Sequence, residues 1–297
     1  MIAHEADGRH DSPAPPSWFA RALAEEPECG ATVVDGVSIS HRAWGQAGHP
    51  GVVLIHGGLA HSRWWDHVAP LLTAGGARRV VALDLSGHGD SARRPRYDFE
   101  LWAGEVLGVV GRAGIAGPPV VVGHSMGGLV ALSAGLAAPD RIGGVVAIDC
   151  PLTERTPEER AATERRALGD VRTYRTRAAG LARFRPVPDQ PALPYVRAHL
   201  ADTSLRPCAD GWTWKYDARV FGGQDFDPGA LADLRGRVAL FRAEYGMLRA
   251  DVGALFRSAR CVWDLEIPHA GHHVMLDQPL ALVTALRAVL ASWQPIG

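Results

Sequence analysis

Short apolar runs, rich in β-branched residues, recur along the chain from residue 51 onward and are separated by longer amphipathic segments. The runs are 52–55, 80–83, 120–122, 145–148, 238–241 and 262–267. Apolar runs without alternating polar residues are typical of strands that are covered on both faces. Their alternation with helical segments predicts an α/β fold with a mostly parallel central sheet that is flanked by helices. A length of 297 residues suits one such unit with an insertion.

The pattern divides the chain into three parts. Residues 1–30 are predicted to be a polar N-terminal tail, because the first half of this segment is polar and rich in proline. Residues 31–150 and 224–297 carry the apolar runs and are predicted to form the α/β core. Residues 151–223 are the insertion, which we expect to form a helical cap that covers the site.

Two helices are expected in the cap. The first begins at Thr156, where Thr-Pro-Glu-Glu matches a capping box, and continues to Leu168. Asp170 is expected to cap a second helix, whose apolar residues recur at spacings of three and four. Those residues are Val171, Tyr174, Ala178, Leu181 and Phe184. Arginines fill much of the remaining surface and are read as a solvated face, although any that turn inward would select a carboxylate or phosphate on a substrate.

The pentapeptide Gly-His-Ser-Met-Gly at 123–127 lies between an apolar run and the helix-forming run 129–138. A Gly-x-Ser-x-Gly sequence in this context is typical of a nucleophile elbow, a sharp turn that exposes a serine at the top of a sheet. The flanking glycines leave room for the chain to pass closely. Ser125 is therefore the candidate nucleophile, and the backbone N–H of Met126 is a candidate oxyanion donor at a helix N-terminus.

Two further segments complete this chemistry. The apolar run 52–55 leads directly into His-Gly-Gly-Leu, where the backbone N–H of Gly58 is expected to be the second oxyanion donor. A loop near the C-terminus carries three histidines, and His272 is our candidate general base, with His269 and His273 as its rivals.

These landmarks together resemble the α/β-hydrolase superfamily. They are the His-Gly-Gly turn, Asp-Leu-Ser-Gly-His-Gly-Asp-Ser at 84–91, the Gly-His-Ser-Met-Gly elbow and Gly-His-His-Val-Met-Leu-Asp-Gln-Pro at 271–279. The resemblance covers residues 31–293 and is weakest between 151 and 223. It implies a triad of serine, histidine and acid at the carboxyl ends of the strands, and its Gly-His ending selects His272.

The acid departs from the commonest pattern of the family, in which an aspartate follows strand seven. That region reads Leu-Phe-Arg-Ala-Glu-Tyr-Gly-Met at 240–247, with Gly246 where the aspartate would stand. Some branches of the family carry the acid after strand six, and Asp149 follows the run 145–148 in this way. Glu244 remains the alternative acid, because it also lies near the end of a strand. We favour Asp149.

The expected pocket is apolar and suits a medium-sized hydrophobic substrate. Its candidate substrate-binding residues are Leu59, Trp64, Trp212 and Trp214. For Trp64 a role in core packing stays open. We therefore predict a serine hydrolase of carboxylesterase, lactonase or thioesterase type that needs no cofactor. The resemblance also leaves open a biosynthetic cyclase or lyase, a cofactor-free perhydrolase and a ligand-binding receptor.

The amino-acid composition restricts the binding partners and the cellular compartment that we expect. The 31 basic residues nearly balance the 32 acidic ones, so no net field favours nucleic acid or a membrane surface. Four scattered cysteines without a Cys-x-x-Cys spacing suit reduced thiols in the cytoplasm. No metal is expected, because the late histidines fit no familiar zinc pattern. The expected partner is a small-molecule substrate, and a homodimer is left open.

Overall fold

The computed structural model of this protein describes residues 14–152, 156–222, 225–248, 255 and 260–294. The strands are β1 (Glu28–Val34), β2 (Val37–Trp44), β3 (His49–Ile55), β4 (Arg79–Leu83), β5 (Ile115–His124), β6 (Gly144–Ile148), β7 (Thr173–Tyr174), β8 (Leu205–Cys208), β9 (Gly211–Trp214), β10 (Arg237–Tyr245) and β11 (Arg260–Gly271). The α-helices are α1 (Ser17–Ala24), α2 (Ala69–Leu72), α3 (Phe99–Val110), α4 (Met126–Ala137), α5 (Pro157–Ala167), α6 (Arg177–Leu181), α7 (Pro194–Thr203), α8 (Val274–Asp277) and α9 (Pro279–Trp293). Short 3-10 helices include Ser62–Trp65 and Ala218–Phe221.

Eight of the described strands form one sheet in the order β1-β2-β4-β3-β5-β6-β10-β11. The six strands from β4 to β11 in this order are parallel and contain the six apolar runs of the sequence. Strands β1 and β2 are antiparallel additions at one edge. Because parallel strands present their carboxyl ends at one edge, the loops after β3, β5, β6, β10 and β11 meet there.

The apolar runs supply both faces of the sheet. Along β3, Val52 and Leu54 point into one buried cluster and Val53 and Ile55 into the other. Helix α9 covers the first face, whereas α3 and α4 cover the second. Burial on both sides explains why the inner strands β3, β4, β5, β6 and β10 lack the polar alternation of a half-exposed sheet.

The N-terminal part corrects one prediction. Residues 1–13 lie outside the described residues, but the tail does not extend to residue 30, because α1 and the start of β1 occupy its second half. Phe19 of α1 is 3% exposed and packs edge to face on Tyr195, with 4.8 Å between ring centroids. The indole N–H of Trp44 donates to the carbonyl of Glu25 at 3.0 Å. The polar composition of the first half of residues 1–30 therefore gave no indication of the amphipathic helix α1 in the second half.

The cap combines helices with a small sheet. The capping box at the start of α5 is present, since the Glu159 N–H donates to Thr156 Oγ1 and the Thr156 N–H donates to the Glu159 carboxylate. The predicted second helix was wrong over its first part, because Thr173 and Tyr174 form β7 and pair with β9. Helix α6 begins later, capped by Thr176. Strands β7, β9 and β8 make a three-stranded antiparallel sheet, so strand pairing overrode the helical spacing.

Candidate active site

Ser125 occupies the sharp turn between β5 and α4. Its backbone has φ 53° and ψ −122°, a conformation that costs a non-glycine residue free energy and persists only where its surroundings enforce it. The Ser125 N–H donates to the carbonyl of Ile148 at 2.9 Å, which ties the turn to β6. A Cβ on Gly123 would overlap the carbonyl of Gly127, so the first glycine is required by close approach of the chain. The elbow therefore holds the serine hydroxyl at the carboxyl edge of the sheet.

Three loops at this edge bring a serine, a histidine and a carboxylate into one hydrogen-bonded line. His272 Nε2 lies 3.0 Å from Ser125 Oγ, and His272 Nδ1 lies 2.6 Å from Asp149 Oδ2. The side chain of His272 is 3% exposed and that of Asp149 is fully buried. A bond of the imidazole Nδ1–H to the carboxylate leaves Nε2 as the acceptor for the serine proton.

The loop after β10 cradles the Asp149 carboxylate. The Met247 N–H donates to Oδ2 at 2.7 Å and the Leu248 N–H donates to Oδ1 at 3.0 Å. Burial alone would raise the pKa of Asp149, but the hydrogen bonds from His272, Met247 and Leu248 outweigh burial and hold the pKa below its usual value. A Cβ on Gly246 would overlap this carboxylate. The position that carries the acid in the commonest family pattern therefore makes room here for Asp149.

The other sequence candidates lie elsewhere. Glu244 accepts a hydrogen bond from the His269 N–H at 2.7 Å and does not contact His272. The side chain of His269 is 80% exposed. His273 is buried. Its burial and, to a smaller extent, the neighbouring His272 lower the pKa of His273 to about 3. Neither rival histidine makes a hydrogen bond to Ser125.

His124, His272 and His273 are the described residues that come nearest to a metal-binding group. Their ring centroids lie 4.8 to 5.3 Å apart, and one ring nitrogen from each lies within 4.8 Å of the others. Both ring nitrogens of His272 already face Ser125 and Asp149, so a metal ion shared by these rings would compete with those hydrogen bonds.

The turn after β3 faces Ser125 from the opposite side. In the described part of the chain, neither the Gly58 N–H nor the Met126 N–H donates a hydrogen bond. His56 fixes the turn, because its Nδ1 donates to the carbonyl of Gly57 at 2.7 Å and its Nε2 accepts from the Leu85 N–H at 3.1 Å. Leu59 has a positive φ of 64°, which bends the chain around the site. The two candidate N–H groups are thus available to a ligand.

Two chambers with shared lining residues lie at this turn. The nucleophile chamber, of about 230 Å³, is lined by Ser125, Met126 and His272. The aromatic chamber, of about 140 Å³, is lined by Trp64 and by cap residues that include Phe184 and Trp214. Gly58, Leu59, Val187 and His273 line both chambers. Three of the four predicted substrate-binding residues thus reach a chamber.

Trp212 is the exception among the predicted lining residues. It lines neither of the two chambers, and the guanidinium of Arg177 lies over its ring at 5.7 Å from the centroid. Trp212 and Trp214 are both on β9 and are separated by one residue, as are residues on the same face of a strand. The pairing of β9 with both β7 and β8, which the sequence did not reveal, positions Trp212 beside α6.

The comparisons with known proteins agree with the fold. The model of the alpha/beta hydrolase family matches residues 52–286. An esterase of Mycobacterium tuberculosis is 31% identical over 276 residues, which cover 86% of this chain and 88% of that protein. The chain is an α/β-hydrolase. A crystal structure of that esterase superposes with a TM-score of 0.66 at 26% identity, over 92% of this chain and 96% of the other.

A second structural neighbour supports the fold alone. It is a thioesterase domain from the curacin biosynthetic pathway, which has a TM-score of 0.73 at 24% identity and covers 88% of this chain and 99% of its own. The α/β-hydrolase described here therefore shares its fold with that domain, while its hydrolase class rests on the family match and on the similar esterase. No helix among its described residues combines the length and hydrophobicity that a bilayer crossing requires.

One functional contact of this hydrolase had no signal in the sequence. Gln190, in the proline-rich segment of the cap, accepts a hydrogen bond from the His273 N–H at 2.7 Å through Oε1. Its Nε2 donates to Asp277 Oδ2 at 2.9 Å, and the same Asp277 oxygen accepts from the Gly271 N–H at 2.7 Å. These hydrogen bonds of Gln190 to His273 and Asp277, which we call the Gln190 clamp, join the cap to the loop on both sides of His272.

Proposed function

We propose that this α/β-hydrolase is a serine esterase that works through an acyl-enzyme, with Ser125, His272 and Asp149 as its catalytic triad. The observation that carries the proposal is the continuous hydrogen-bonded line from Ser125 Oγ through the imidazole to a buried carboxylate. The N–H groups of Gly58 and Met126, two residues that line the same chamber as Ser125, are the proposed oxyanion donors. The similar esterase of Mycobacterium tuberculosis supports the same reaction class.

Acylation begins when Ser125 Oγ attacks the ester carbonyl. His272 Nε2 accepts the hydroxyl proton as the new C–O bond forms, and the imidazolium is stabilised by the Asp149 carboxylate. The carbonyl oxygen gains negative charge and accepts hydrogen bonds from the N–H groups of Gly58 and Met126. Collapse of this intermediate breaks the bond to the alcohol, which leaves with the proton from His272.

Deacylation repeats the same steps with water. His272 removes a proton from a water molecule, whose oxygen attacks the acyl carbonyl, and the same N–H groups hold the second oxyanion. The proton then returns to Ser125 Oγ as the acid departs. Asp149 keeps its charge through the cycle, which agrees with the lowered pKa of that carboxyl.

The proposed substrate is an ester of moderate size with apolar arms on both sides of the scissile bond. The two chambers, of about 230 and 140 Å³, suit arms of a few carbon atoms or one ring rather than a long lipid. Esters, thioesters and lactones share the attacked carbonyl, so all three belong to the proposal. Reduced, unpaired Cys29, Cys150 and Cys208 support a cytoplasmic location as part of it.

A fluorophosphonate probe followed by intact-mass analysis tests the proposal. The wild type should gain one adduct, and Ser125→Ala should gain none while retaining its melting temperature. Hydrolysis of p-nitrophenyl butyrate should disappear in the same variant. Labelling that survives Ser125→Ala, or a wild type that neither labels nor turns over the ester, would contradict the assignment of Ser125.

A further inference from the structure

We propose that the aromatic chamber selects esters with one negatively charged arm, so that a carboxylate at the end of an apolar or aromatic spacer is held by Arg183 and Arg185. This inference rests on the proposed esterase function and names its substrate class. It concerns the side of the site that lies beyond Gly58 and Leu59, away from the triad. The comparisons with known proteins assign no role to these arginines.

The wall of the aromatic chamber is positively charged. Arg183, Arg185 and Lys215 line it, and its lining includes no acidic residue. Lys215 Nζ is paired with Asp90 at 2.8 Å. Neither Arg183 nor Arg185 has a carboxylate partner among the described residues, and Arg185 Nη1 donates only to the carbonyl of Phe184. Two guanidinium groups at this chamber are therefore available to an anion.

The charge of this wall is local. The whole sequence has a formal net charge of −1, so a wall with three cations and no anion is not a consequence of overall composition. Arginines such as Arg42, Arg79 and Arg219 are paired with an aspartate or glutamate, whereas Arg183 and Arg185 have no such partner among the described residues. These two guanidinium groups line a cavity that shares Gly58 and Leu59 with the chamber of Ser125.

The interior of the chamber suits a flat apolar spacer. The rings of Trp64 and Phe184 lie 6.4 Å apart between centroids, and those of Phe184 and Trp214 lie 6.1 Å apart. Trp64 is 6% exposed, and its indole N–H has no hydrogen-bond partner among the described residues. A buried donor without a partner costs free energy that a polar atom of a ligand would recover.

The chamber is placed to receive one arm of a substrate whose carbonyl lies at Ser125. Gly58, the candidate oxyanion residue, and His273, which follows the general base in sequence, line both chambers. A bound ester would therefore pass from the nucleophile chamber over Gly58 into the aromatic chamber. Its charged end would reach the exposed Arg183 and Arg185 at the outer end of that path.

Two matched pairs of esters test the inference and identify which arm carries the charge. For the acyl arm, mono-p-nitrophenyl adipate is compared with p-nitrophenyl hexanoate. For the alcohol arm, p-carboxyphenyl butyrate is compared with p-tolyl butyrate. In one pair, the wild type should prefer the anionic ester by about tenfold or more in kcat/KM, and 1 M NaCl should reduce that preference because salt screens exposed charges.

Variants assign the preference to the chamber. Arg183→Gln and Arg185→Gln should each reduce the ratio of anionic to neutral kcat/KM by about threefold, and the double variant by about tenfold, as expected for partly exposed ion pairs. Arg112→Gln is the matched control, because Arg112 is an exposed arginine before β5, at the opposite end of the strand that leads to Ser125. It should leave the ratio unchanged.

The outcomes separate this inference from the proposed function. Turnover of the neutral esters without preference for either anionic ester would overturn the inference and leave the esterase intact. A ratio that the double variant does not change would also overturn it. If no ester is turned over, calorimetry of Ser125→Ala with mono-p-nitrophenyl adipate and with p-carboxyphenyl butyrate still decides. Binding of either ester that the double arginine replacement abolishes would support the anionic subsite, and absence of binding of both would refute it.

Discussion

Replacing Asp149 with asparagine is the sharpest test of how this site works, because the structure fixes what each atom of the new amide would face. Oδ2 accepts from His272 Nδ1 and the Met247 N–H, whereas Oδ1 accepts from the Leu248 N–H. An amide offers one oxygen and one NH₂ group in these two places. In either orientation, therefore, the NH₂ group of the amide faces a backbone N–H, that of Leu248 or that of Met247, and that N–H loses its acceptor.

Both orientations of the amide impair the general base. If the oxygen faces His272, the imidazole keeps its tautomer but loses the negative charge that stabilises the imidazolium. Two unit charges about 4 Å apart at an effective dielectric constant of 20 interact by about 4 kcal/mol. If the NH₂ group faces His272, the imidazole must accept at Nδ1, and its proton moves to Nε2, where it can no longer receive the proton of Ser125.

We therefore expect Asp149→Asn to lower kcat for p-nitrophenyl butyrate by about 10³-fold, which corresponds to about 4 kcal/mol in the activation barrier. The KM should change much less, because the carboxylate does not line either chamber. Stopped-flow acylation would locate the loss in the chemical step, and thermal unfolding would show whether the variant is folded.

Glu244→Gln is the matched control for this prediction. Glu244 is another carboxylate at the end of a neighbouring strand, but its side chain is 34% exposed and its partner is His269. Its replacement should change kcat by less than twofold. The reasoning is refuted if folded Asp149→Asn retains more than a tenth of the activity, or if Glu244→Gln is the variant that loses it.

Three further predictions concern the support of the site and the stability of the fold. Gly246→Ala should lower kcat at least tenfold, because its Cβ would displace the buried triad carboxylate, whereas Gly104→Ala, where a Cβ meets no atom within 4 Å, should not. Arg94→Met should reduce the free energy of unfolding by about 3–5 kcal/mol in urea titrations, because it leaves the fully buried Glu105 without its 2.7 Å partner. Burial raises the pKa of Asp277 from 3.8 to about 6, so the native state retains a proton that the unfolded state has lost, and stability falls as pH rises through this range. Asp277→Asn should remove that decline, and an unchanged difference between the two proteins from pH 4 to pH 7 would contradict the prediction.

Most of the parallel part of the sheet could be predicted because its inner strands are buried on both faces. Such strands read as continuous apolar runs, as in β3, β4, β5, β6 and β10, whereas the run in the edge strand β11 contains the exposed Asp264 and Glu266. The edge strand β1 alternates buried and exposed residues weakly, with Thr32 as a buried residue among exposed neighbours. Its strand character depends on pairing with β2, which composition does not reveal.

The triad residues could be proposed from sequence because each directly follows a strand or turn with a recognisable local pattern. Asp149 was the hardest of them, since its selection over Glu244 depended on a glycine at 246 and on family resemblance rather than on chemistry. Gln190 was not found, because the partner of its side chain, His273, lies 83 residues away in sequence. The surroundings of Trp212 could not be predicted for a similar reason, because they depend on the pairing of β9 with β7, which is distant in the sequence.

The Gln190 clamp has a consequence for how substrates enter and leave. Its amide binds the backbone of His273 and the Asp277 carboxylate, so the proline-rich segment supports the loop of His272 directly. Lifting that segment away for substrate entry would break these hydrogen bonds next to His272. Exchange through this side of the cap would therefore cost the free energy of the clamp, whereas entry by another side would leave it intact.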